Sequence, residues 1–149
     1  MRSHHAWSVI CLIILLASTV SACKPESTEP DISMQSAWVR AMPPGMSMTA
    51  AYGNFINKLP HPVEIHTFGS DSFDNVSLHQ TIIEDDVSKM VAVPILLLEP
   101  GVQVSLRPGD LHLMMMSPTK QLSPGDQVEL RFLSSDGQSF VFMLPVEAR

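Results

Sequence analysis

The sequence predicts an all-β domain, a Greek-key β-sandwich, and three observations carry that expectation. Short apolar runs recur between Pro, Gly, Asn and Asp turn signals, stretches with a helical apolar period are scarce, and apolar and polar residues alternate with period two inside several runs. No internal repeat is visible.

The strands follow in order. The first is expected at 37–41 and ends at the turn Pro43-Pro44-Gly45; the second, at 49–57, is closed by Pro60-His61-Pro62. Strands at 63–69, 76–83 and 89–93 come next, and Pro100-Gly101 opens a strand at 102–106. Pro108-Gly109-Asp110 precedes a strand at 112–116, Pro124-Gly125-Asp126 one at 127–134, and Asp136-Gly137 turns the chain into the last, 138–146. The roughly 115 residues of 35–149 suffice for one domain with one core.

Residues 1–22 have a different character. Arg2 is followed at 8–20 by an apolar run of 13 residues. Such a run is too short for a membrane span, which takes about 20, and reads as a signal peptide. Val20-Ser21-Ala22-Cys23 resembles a lipobox, where cleavage falls just before an acylated cysteine, making Cys23 the first mature residue and its lipid carrier. The plainer alternative is a free thiol near an ordinary cleavage site. Acyl chains contribute about 0.8 kcal/mol per buried CH2, so two or more anchor stably. Cys11 leaves with the leader, and no disulfide is expected in the exported domain. Lys24, rather than Asp, matches the proteobacterial pattern sorted to the outer membrane, the location expected if the host is such a bacterium. Residues 23–34, rich in Pro, Ser and acid, read as a flexible tether.

The chain has 15 acidic and 9 basic residues, a formal charge of −6 that becomes −7 once Arg2 is removed. That balance argues against nucleic acid and against electrostatic attachment to anionic lipid; a solvated acidic surface accounts for it equally well. No Gly-x-Ser-x-Gly or His-Glu-x-x-His motif is present to support hydrolysis.

The chemistry concentrates in His79, Met90, His112 and Met114, spaced H-x10-M-x21-H-x-M. A preset pattern of this kind arises by chance in roughly one chain per thousand of this composition. Two imidazoles and two thioethers suit copper, Cu(I) above all, better than zinc, calcium or magnesium. Strand phase supports the grouping. His79 lies opposite Val76, Leu78 and Ile82; Met90 is out of phase with Val91 and Val93; His112, Met114 and Met116 share the face opposite Leu111, Leu113 and Met115. All four are therefore expected on an accessible face or rim. Taken singly, an outward His or a Met filling a gap would mean little.

The spacing, together with Ala37-Trp38-Val39-Arg40-Ala41, Pro43-Pro44-Gly45 and Ala50-Ala51-Tyr52, resembles the PCu(A)C family of periplasmic copper chaperones over about residues 35–146. The resemblance implies a cupredoxin-like sandwich, one Cu(I) held by His79, Met90, His112 and Met114, no enzymatic activity, and delivery to a copper acceptor. That acceptor would be a cytochrome c oxidase subunit or another copper chaperone at the periplasmic face of the membrane. Many relatives carry a His- and Met-rich tail for Cu(II); with Arg149 directly after the last strand, none is expected here.

Neutral ligands hold Cu(I) less tightly than thiolates, which suits a protein that must release it, and methionine forms no disulfide in an oxidising compartment. Met46 and Met48, two apart after the Pro-Pro-Gly turn, are candidates for an auxiliary sulfur ligand or landing site, though turn packing is the simpler reading. Met116 could substitute for Met114, and Met115 belongs to the core. His61 and His66 read as surface residues. A blue-copper electron carrier would need a cysteine thiolate, and the mature chain has only Cys23. An envelope copper buffer, or a β-sandwich lipoprotein that binds a protein and no metal, remain the alternatives.

Overall fold

Alternation along the chain becomes ten strands among the described residues. The computed structural model describes residues 30–149; the leader, Cys23 and most of the tether lie outside them. The strands are β1 (Ile32–Arg40), β2 (Met48–Asn57), β3 (Val63–Gly69), β4 (Phe73–Glu84), β5 (Val87–Ala92), β6 (Leu96–Leu98), β7 (Gln103–Leu106), β8 (Leu111–Pro118), β9 (Gln127–Ser134) and β10 (Ser139–Glu147). No helix occurs among the described residues, so the all-β expectation holds.

Hydrogen-bonded neighbours run β5-β4-β8-β2-β1-β10-β9-β3-β6, with β7 on β2. A single bridge from Phe68 on β3 to Val76 on β4 closes the circuit. The result is a closed Greek-key barrel, cupredoxin-like, whose pairs are antiparallel except β1 with β10. Alternate residues of the strands point inward: Val128, Leu130 and Phe132 from β9, Val63 and Ile65 from β3, Leu113 and Met115 from β8. Phe132 sits at the centre, meeting Phe55 edge-on at 5.3 Å and Phe68 at 5.5 Å.

Three positions depart from the sequence reading. First, β1 starts at Ile32 rather than at residue 37, so Ile32, Ser33 and Met34, assigned to the tether, are strand; Ile32 is 1% exposed because it pairs with Asn57 and joins the core. Second, β6 was not expected: three leucines pair with β3, Val63 opposite Leu98. Third, Ile82 does not point into the core. From residue 82 to 92 every residue is exposed, because β4 and β5 run past the barrel as a two-stranded ribbon with nothing packed over it.

The β1–β2 pair is irregular where the site begins. The register shifts between Gln35 and Trp38, with Ser36 at φ 50°. Gly53, at φ 151°, faces this bulge, and a Cβ there would lie 2.9 Å from the Ala37 Cα. The close approach needs glycine, and it sets Trp38 directly opposite Tyr52.

Candidate metal centre

Strand register brings the four expected ligands to one face. His79 on β4 pairs with His112 on β8, and Ser77 with Met114 in the next row. Met90 on β5 pairs with Thr81, which makes Met90 the diagonal cross-strand neighbour of His79. On the other side of β8, Ala50 pairs with Met114 and Met48 with Met116. The intervening Leu113 and Met115 are wholly buried in the core, as alternation requires.

The two imidazoles stand 6.3 Å apart between ring centroids, inclined by 32°. The Nδ1–H of His112 donates to the Asp110 carbonyl at 2.8 Å, which fixes the tautomer and leaves Nε2 as the ligating lone pair. The same carbonyl accepts from the Thr81 amide at 3.2 Å, so one turn oxygen ties β4 to the imidazole of β8. Arg107 holds that turn, donating from Nε to the Asp110 carboxylate at 2.9 Å and keeping its pKa below the ordinary carboxylate value.

His79 is held differently. Its Nε2 is 3.0 Å from Ser77 Oγ, while its Nδ1 is buried with no hydrogen-bond partner among the described residues. Burial pushes the His79 pKa down, and the neighbouring His112 acts in the same direction. The neutral, metal-ligating form is therefore favoured.

One expectation needs correction. Strand phase placed all four residues on an accessible rim, and Met90, 58% exposed, does lie there, with His79 and Met114 half-buried. His112 is instead only 4% exposed. An aromatic layer from β1 and β2 covers that side: Tyr52 lies 6.5 Å from the His112 ring and Trp38 4.7 Å from Tyr52. The Arg40 and Arg149 guanidinium groups cap Tyr52 and Trp38 at 5.2 Å and 4.4 Å. Sequence reasoning gave Trp38, Arg40 and Tyr52 no role in the site, although they belong to the segments that carried the family resemblance.

A cavity of about 420 Å³ opens over this face, and its wall includes His112, Met114, Met90, Met42, Met46 and Met48. His79 stands beside His112, outside that wall. Met46 and Met48 are 52% and 45% exposed, so turn packing does not describe them. Met116 shares the ligand face but does not line the cavity. His61 and His66 are on the surface, as expected. Among the described residues no three His, Cys, Asp or Glu side chains gather to hold a metal. Any ion here would take imidazole from two residues and sulfur for the rest, a donor set suited to a soft cation.

Comparison with other proteins gives consistent results. The family model described as "LpqE-like: Putative lipoprotein LpqE-like" matches residues 32–146. "Uncharacterized protein RP573" of Rickettsia prowazekii is 30% identical over 92 residues, 61% of this chain and 51% of its own, so the match spans about half of that relative. Among solved structures, the "Copper-bound PCuAC domain from PmoF2" superposes with a TM-score of 0.67 at 20% identity, covering 80% of this chain and 95% of that one. The solution structure of CuI-DR1885 from Deinococcus radiodurans superposes with a TM-score of 0.59 at 24% identity, covering 81% and 80%. At these identities the likeness is one of fold.

Proposed function

The chain belongs to the LpqE-like lipoprotein family and has the fold of PCuAC domains, and from this premise we propose that it is a copper chaperone, a binding protein rather than an enzyme. Copper is its cargo, held as Cu(I) by His79, Met90, His112 and Met114 and passed to an acceptor at the membrane. The observation that carries this reading is the cross-strand pair of His79 and His112. One imidazole, His112, is oriented by a backbone carbonyl and lines a thioether-rich cavity; the other, His79, stands behind it with a buried nitrogen that has no partner among the described residues.

An unpaired buried polar atom costs about 1–3 kcal/mol, and a nitrogen–metal bond would remove that cost. Cu(I) is a d10 ion without a strong geometric demand, so two imidazoles and two thioethers satisfy it. None of the four ligands brings a negative charge. The ion can therefore leave by stepwise exchange, one sulfur at a time, with exposed Met90 as the ligand an acceptor meets first. Tyr52 and Trp38 exclude water from the His112 side, which leaves the thioether side as the exit.

We place the protein at the periplasmic face of the cell envelope, anchored by a lipid on Cys23, in line with its lipoprotein family. The recipient implied by the resemblance is a cytochrome c oxidase copper centre. The test is an anaerobic Cu(I) titration against a chromogenic competitor. One tight equivalent is expected, lost in the His112→Ala, Met114→Ala double variant while its thermal unfolding stays cooperative. Binding indifferent to those two substitutions would refute the site.

A further inference from the structure

Three methionines that this ligand set does not use line the same cavity: Met46 and Met48 are exposed at its mouth, and Met42 is half-buried behind them against the core. The Pro43-Pro44-Gly45 turn, closed by the Met46 amide on the Pro43 carbonyl at 3.2 Å, brings Met42 and Met46 to one rim; Met48 follows as the first residue of β2. Met48 pairs with Met116, one row beyond the Ala50–Met114 pair. Ala50, opposite Met114 in the inner row, contributes only a small side chain between β2 and that sulfur. Met46 and Met48 forgo much of the stabilisation that a buried methionine contributes to folding. Unlike exposed aliphatics elsewhere on the surface, these two thioethers line a cavity whose wall also carries His112, Met114 and Met90.

We propose that Met42, Met46 and Met48 form a second, all-thioether site for a soft monovalent cation, Cu(I) or Ag(I), at the cavity mouth. It receives the ion and hands it inward to Met114 and His112. Each step is a ligand exchange: a sulfur–metal bond at the mouth breaks as one to Met114 or His112 forms, and no electron moves. Thioethers alone bind more weakly than a set that includes imidazole, so the ion runs downhill into the cavity. The handover rests on the proposal that the inner residues hold Cu(I); the mouth site itself does not.

The experiment is an anaerobic titration of the processed protein beginning at Cys23, in detergent, with Cu(I) and, separately, Ag(I), after alkylation of any thiol left on Cys23. The parent is expected to take two equivalents, the second weaker. Met46→Leu with Met48→Leu, which conserves volume, should reduce this to one; His112→Ala with Met114→Ala should keep the weaker one. If the latter variant binds nothing, the mouth site is refuted and the inner site stands. If the leucine pair weakens the tight equivalent as much as Met114→Ala does, these sulfurs belong to a single site and the two-site proposal is overturned. A parent whose only equivalent depends on Met46 and Met48 and ignores His112 would support the mouth site and refute the inner one.

Discussion

At one end of β2, Asn57 is fully buried with every polar side-chain atom engaged; beside the other end, His79 on β4 keeps a buried ring nitrogen that no described residue satisfies. The Asn57 Nδ2 group donates to the His61 and Leu98 carbonyls, each at 2.8 Å, and Oδ1 accepts from the Leu59 amide at 2.9 Å. Asn57 thereby ties β2 to the β3 approach and to β6. The contrast separates two uses of a buried polar residue: one is closed within the fold and stabilises it, and the other, under the copper proposal, would be completed by a ligand that comes from outside.

Replacing each residue with an apolar one of similar size should therefore give opposite signs. Asn57→Leu strands two carbonyls and an amide and should cost about 3 kcal/mol in urea unfolding, with Cu(I) affinity unchanged. A loss under about 1 kcal/mol would break the comparison from the closed side. His79→Leu should raise the stability of the metal-free protein by about 1 kcal/mol while abolishing the stabilisation that Cu(I) confers on the parent. Destabilisation of the metal-free form would mean that the His79 nitrogen has a partner after all.

The smallest effect is a pH dependence. His79 has a lower pKa folded than unfolded, where it is about 6.5, so the unfolded chain binds more protons between the two values. Stability from this group is fully present above about pH 6.5 and is lost as pH falls through the folded pKa. Melting of the metal-free parent from neutral pH to about pH 5 should fall more steeply than that of His79→Leu, and Asn57→Leu should keep the parental slope. Equal slopes in all three would remove His79 from the acid response.

Nine of the ten strands were legible because alternation and turn residues are local signals. The tenth, β6, is a run of three leucines whose only mark is its pairing with β3, a contact no local pattern reports. The first residues of β1 read as tether for the same reason: Ile32 is defined by Asn57 across the pair. Ile82 shows the limit of phase, which says which way a side chain points and not whether anything covers it. The ligand spacing could be read in the chain, but the pairing of His79 with His112, the cover over His112 and the Asp110 carbonyl behind it are long-range facts of register. Asn57 had no signal at all, since an Asn before a turn looks like any other.

Because β1 begins opposite Asn57, the chain enters the barrel at the end of β2 remote from His112 and Met114. Cys23 lies nine residues before Ile32, a leash of about 30 Å at most when fully drawn out. A lipid at Cys23 would thus confine the domain to a thin layer above the bilayer, turning the search for a partner from a volume into a surface and raising the effective concentration of any acceptor in that layer. It would also present the copper end on the side away from the attachment. Acceptors that carry their vacant site on a projecting domain would be served, and sites flush with the lipid would be out of reach.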